Sequence, residues 1–134
     1  MNNLEQTLSI IKPDAVERNL SEKIKEEFKN KLFKISKEKK IKLEKQEAEK
    51  FYQVHQTKPF YNNLCSYLSS GPIVVMILEK ENAILDNRKL MGATDPTKAE
   101  DGTIRKKYGI SIDKNSVHGS DSPDNAKIEI DFFF

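Results

Sequence analysis

The chain is short of the residues that staple or anchor small proteins. Cys65 is its one cysteine, which excludes an internal disulfide and suits a reducing compartment. It stands in the apolar run Leu64-Cys65-Ser66-Tyr67-Leu68 and reads as a core residue rather than a reactive thiol. Long hydrophobic runs are missing too. The longest, Ile73 to Leu78, is far shorter than the roughly 20 residues that span a bilayer. Met1 to Gln6 carries neither a basic nor an apolar stretch, so no secretory signal is read there and a soluble, cytoplasmic protein is expected. Neither sign of charge dominates: 23 basic against 21 acidic side chains leave a formal +2, which marks no nucleic-acid or membrane surface.

The common phosphate and metal signatures are also absent. There is no G-x-x-x-x-G-K-[ST], no G-x-G-x-x-G and no H-R-D loop. The two histidines, His55 and His118, stand too far apart in the chain to suggest a zinc site.

What is present reads as one domain over residues 1–134, small enough that association with further copies would help bury its apolar surface. A strand is predicted at Thr7–Ile11 and must end at Pro13. Leu20, Ile24, Phe28 and Leu32 recur every fourth residue, as on one stripe of a helix. The lysine-rich stretch that follows keeps Ile35, Ile41 and Leu43 at odd positions and reads as an edge strand guarded by lysine. Short helices are predicted near 47–55 and 61–68, a strand buried on both faces at Ile73–Leu78, and a helix over 82–91 closed by Gly92. An irregular stretch comes next. The fourth strand is placed near Ile112 or just before His118. The last helix has a clear start, with Ser122 as cap, Pro123 and Asp124 in its first turn, and an Ala126/Ile130/Phe133 stripe. This order predicts an α+β, ferredoxin-like βαββαβ sandwich with a four-stranded antiparallel sheet.

Chemistry concentrates in Asn115-Ser116-Val117-His118-Gly119-Ser120-Asp121-Ser122. Gly119 and Ser120 leave room beside the imidazole, and the following helix start favours an anion. Imidazole is nucleophilic and largely neutral near pH 7, so it can accept a phosphoryl group and divide one transfer into two. A histidine beside a turn is more often structural, and this segment alone does not decide the matter.

The segment resembles the N-x-x-H-G-S-D-S signature of nucleoside diphosphate kinases. The likeness runs from Thr7 to Phe133 and includes Ile11-Lys12-Pro13-Asp14, Lys58-Pro59-Phe60, Ser70-Gly71-Pro72, Arg88, Met91-Gly92-Ala93-Thr94-Asp95-Pro96, Gly102-Thr103-Ile104-Arg105 and Glu129. The resemblance implies ping-pong transfer of a γ-phosphate from a nucleoside triphosphate, mainly ATP, to a diphosphate through His118. It implies cations Lys12, Arg88 and Arg105 with Thr94 at the phosphates, Phe60 and Ile112 on the base, Lys12 and Asn115 at the sugar, and Tyr52 beside the histidine. Ser120 and Glu129 would fix the imidazole tautomer. Mg²⁺ would arrive on the nucleotide, with no protein metal site, and the chain would form a homo-oligomer, a hexamer before a tetramer. No membrane and no specific nucleic acid is implied as partner. His55 is left as a surface residue.

The sequence departs from the family pattern at Leu32, where glycine usually caps the first long helix, at Glu22, and at Lys106-Lys107. A left-handed leucine costs about 1–2 kcal/mol, so a rebuilt turn is expected at Leu32. Two other classes share the fold. A regulatory nucleotide-binding module needs no nucleophile, and an RNA-recognition domain displays aromatics on its central strands, where Ile73–Leu78 has none.

Overall fold

A computed structural model describes residues 4–134. The chain runs β1 (Leu4–Ile11), α1 (Pro13–Glu17), α2 (Ser21–Asn30), β2 (Lys34–Ile41), α3 (Lys45–Phe51) and α4 (Tyr61–Leu68). It continues through β3 (Ile73–Glu81), α5 (Ala83–Met91), α6 (Ile104–Tyr108), β4 (Val117–Gly119) and α7 (Pro123–Phe133), with single 3-10 turns at Gln53–His55 and Pro96–Lys98. The four strands lie in the order β2-β3-β1-β4, every neighbour antiparallel, which is the ferredoxin-like α+β arrangement expected.

Each face of the sheet carries its own core. Ile11, Val74, Met76 and Leu78 pack under α1, α2, α5 and α6 through Ala15, Ile24, Phe28, Leu90 and Ile104. Leu8, Ile10, Ile73 and Val75 pack under α3, α4 and α7 through Ala48, Cys65, Leu68 and Phe133. Both β1 and β3 are covered on both sides: Ile73–Leu78 of β3 is accordingly an unbroken apolar run, while β1 buries Thr7 and Ser9 between its apolar residues. Cys65 is buried here, as its apolar neighbours suggested.

Five expectations about elements need correction. The edge strand does not keep its odd positions on one face. A β-bulge between Ile35 and Lys37 inserts one residue, so Ile35 faces Leu78 on the α2 side while Ile41 faces Ile73 on the other. Leu43 lies beyond the strand and is buried. Leu32 is not on the α2 stripe. It is 82% exposed with φ of 69°, while Phe33 N–H bonds back to Phe28 and Leu32 N–H to Lys29. That is a glycine-type helix cap made by leucine, so the turn keeps its shape instead of being rebuilt.

The fourth strand is Val117–Gly119 and contains His118; the placement near Ile112 is wrong. Residues 110–114 form a turn in which Ile110 N–H bonds to Lys114. The stretch expected to be irregular also holds α6, capped by Thr103 through Lys106 N–H. With a single buried apolar residue, Ile104, it offers no periodicity to read. Among the described residues, no helix is long and apolar enough to cross a membrane.

Candidate active site

His118 sits mid-strand in β4, paired with Ile10 of β1, so its ring emerges on the α3/α7 face. Its Nε2 lies 3.0 Å from Glu129 Oε1, and Ser120 Oγ donates to the same oxygen at 2.8 Å. Glu129 stands three positions after the buried Ala126 and four before the buried Phe133 on α7, which turns it inward toward the imidazole. Ser120 is held in turn, since Leu8 N–H donates to its hydroxyl and its own N–H donates to Leu8 carbonyl. A carboxylate beside Nε2 accepts, so the ring proton belongs on Nε2 and Nδ1 keeps its lone pair. Ser120 therefore reaches the imidazole through Glu129 and not directly.

Phe51 of α3 closes the back of the ring, edge to face with His118 at 5.4 Å between centroids. It also touches Tyr52, Phe132 and Phe133, joining α3 to α7 behind the imidazole. The sequence reading did not single it out; an aromatic next to Tyr52 was the only available signal.

In front of His118 opens a cavity of about 500 Å³. Lys12, Tyr52, Phe60, Arg88, Thr94, Arg105, Ile112 and Asn115 all line it, so the chain brings together residues that lie more than a hundred positions apart. Phe60 and Ile112 are each about half exposed on the cavity lining. His55 also lines the cavity and stacks obliquely on Phe60 at 5.8 Å, which corrects its reading as a plain surface residue. Leu64, Met91, Asp113 and Asp121 complete the lining.

The polar wall is tightly wired. Lys12 Nζ donates to Asn115 Oδ1 at 2.9 Å, and Asn115 Nδ2 donates to the Thr94 carbonyl at 3.1 Å. Arg105 donates through Nη1 to the Gly92 carbonyl and through Nη2 to the Val117 carbonyl, while its Nε is buried without a partner. The cations are crowded. Burial, then the charge of Arg105, lowers the Lys12 pKa to about 8. Burial, then Arg88, brings Arg105 down to about 10. A polyanion would relieve both costs at once. Tyr52 is raised well above its ordinary range, chiefly by burial, and stays a neutral phenol.

Comparisons with known proteins identify the family to which this fold and sequence belong. The family model described as nucleoside diphosphate kinase matches residues 5–134. The chain belongs to the nucleoside diphosphate kinase family. It is 58% identical over 131 residues to the nucleoside diphosphate kinase of Geobacter sulfurreducens, covering 98% of this chain and 96% of that one. The corresponding protein of Geotalea uraniireducens is 56% identical with the same coverage. The crystal structure of the Aquifex aeolicus nucleoside diphosphate kinase superimposes with a TM-score of 0.96 at 40% identity, covering 98% of this chain and 95% of that one.

Against the nucleoside diphosphate kinase pattern, the departures fall away from the cavity. Glu22 lies in the first turn of α2, where a negative charge suits the helix end, and pairs with Lys25. Lys107 reaches across from α6 to Glu27 of α2. Lys107 thus ties two helices together.

Proposed function

We propose that this nucleoside diphosphate kinase works by ping-pong transfer through His118 Nδ1. The lone pair attacks the γ-phosphorus of a nucleoside triphosphate, a new N–P bond forms, and the bond to the bridging oxygen breaks to release the diphosphate. A second diphosphate then attacks the phosphohistidine through a terminal oxygen, the N–P bond breaks, and the imidazole is restored. The observation that carries the reading is the pairing of Nε2 with Glu129 Oε1 at 3.0 Å, which leaves Nδ1 unprotonated in front of Lys12, Arg88 and Arg105. A loose phosphoryl-transfer transition state needs in-line placement and cations at its equatorial oxygens, and little else from the protein.

In this reading Arg88, Arg105 and Thr94 hold the phosphates, Lys12 and Asn115 meet the sugar hydroxyls, and the base lies between Phe60 and Ile112. Stacking of that kind tolerates any base. Tyr52 packs beside the phosphate path as a neutral donor. Mg²⁺ enters with the nucleotide: among the described residues no group of three His, Cys, Asp or Glu could hold a metal ion, and the cavity offers only Asp113 and Asp121. The same reading places a single-domain chain in the cytoplasm as a homo-oligomer, hexamer before tetramer.

The test is brief incubation with γ-labelled ATP and Mg²⁺, then denaturing gels. The expected product is an acid-labile, alkali-stable label that chases onto added GDP. His118→Asn is expected to abolish the label while nucleotide binding persists. Undiminished turnover by that variant would overturn the mechanism.

A further inference from the structure

Ser116 is fully buried with φ of 75°, between Asn115 and β4. Val117 N–H bonds to the Asn115 carbonyl at 2.9 Å, closing a three-residue γ-turn around it. A γ-turn of this hand is rare and strained for a residue with a side chain, and it persists only where its surroundings enforce it. Three bonds do so here, one of them from Arg18 Nη2 to Ser116 Oγ at 3.3 Å. Lys12 N–H donates to the Ser116 carbonyl at 2.8 Å, and Ser116 Oγ donates to Asp14 Oδ2 at 2.9 Å.

Asp14 is 5% exposed and does not line the cavity. Its Oδ1 accepts the Tyr67 hydroxyl of α4, and its Oδ2 also accepts Arg18 Nη2 at 3.0 Å. Its own N–H returns a bond to the Tyr67 oxygen at 2.9 Å. Arg18 goes on to the Tyr108 carbonyl at the end of α6. One buried carboxylate thus joins α1, α4, α6 and the chain entering β4, with a donor on each oxygen. A buried carboxylate is tolerated only on such terms.

We propose that Asp14 is a positioning residue for phosphoryl transfer, holding the strained turn at Ser116 so that Asn115 meets Lys12 before the turn and His118 enters β4 in register after it. The inference rests on the phosphohistidine reading above. If the turn relaxes, Asn115 leaves Lys12 and the Thr94 carbonyl, and the Val117 carbonyl no longer anchors Arg105. Asp14 touches no substrate itself; it acts through the turn, beside a through-space attraction that favours the charge on Lys12.

Glycine adopts positive φ without strain, so it separates this role from plain structural support. Asp14→Asn is expected to lower kcat/KM on the order of tenfold in the native background, and about threefold or less in a Ser116→Gly background. Should Asp14→Asn not fold, Ser116→Ala and Ser116→Gly give an independent comparison. Both lose the hydroxyl, but only alanine keeps the strain, so the glycine variant should be the faster. Native kcat/KM in Asp14→Asn, the same loss in both backgrounds, or alanine matching glycine would each overturn the proposal. Failure of the parent reading would show separately, as absence of label on His118 in the unsubstituted protein.

Discussion

A buried lysine keeps its charge only while the attraction of its partners outweighs desolvation, and at Lys12 the balance is close. Asp14 and Asp113 favour the charge, whereas burial and Arg105 oppose it, and the result is a pKa of about 8. Since the charged form is the one that meets an anionic nucleotide, kcat/KM is expected to fall as pH rises through about 8, and Lys12→Met should remove that limb from the profile. Stability moves the other way. The unfolded lysine holds its proton up to 10.5, so between about 8 and 10.5 the unfolded state binds more protons and the free enzyme gains stability as pH rises. Urea midpoints across that window, compared with Lys12→Met, check the sign. At this scale the residue type of His118 suggested a nucleophile, whereas the roles of Lys12 and Glu129 came only with the family resemblance. The Phe51 contact and the part played by His55 were not legible, because both depend on how the α3 end is laid against α7 and Phe60.

Glycine positions and caps decide how the elements meet, and two of them make opposite predictions. Leu32 occupies a left-handed cap with its side chain 82% exposed, so glycine there removes strain and loses almost no buried surface. Leu32→Gly is expected to stabilise the protein by about 0.5–1 kcal/mol after the entropy of the unfolded glycine is counted, seen as a raised Tm. At Gly92 the reverse holds. Its φ is 85°, and an added Cβ would meet Thr103 Oγ1 at 2.5 Å and Thr103 Cβ at 2.7 Å. Gly92→Ala should destabilise by about 1–3 kcal/mol and lower kcat, since the Gly92 carbonyl anchors Arg105. Denaturant melts with a parallel kinetic assay test both parts. Helices with long stripes or strong caps, such as α7, were readable from periodicity. The β2 bulge was not, because a one-residue insertion exchanges faces without leaving any mark in composition, and α6 is too short to show a period.

At the scale of the whole molecule, a 15.4 kDa chain leaves Leu85, Ile110 and Ile128 more than half exposed, and among the described residues β2 pairs with β3 alone. Small domains bury limited apolar area alone. Sedimentation analysis is expected to give a mass six times that of the chain; a stable monomer at micromolar concentration would remove the oligomer from the reading. The sequence by itself determined the fold class, and its resemblance to a family named the residues of the candidate site. The alternation and length of apolar runs set which strands are buried, and a nucleophilic histidine with its ordered companions suits few reactions. Only the tertiary structure decided which groups act on one another. Pairing β4 with β1 carries His118 to Glu129, and folding the 92–116 segment back over α1 sets Asn115 and Arg105 against Lys12. The shifted pKa values, the strained turn at Ser116 and the crowding of the cations arise from distances between residues far apart in the chain, and local sequence does not encode such distances.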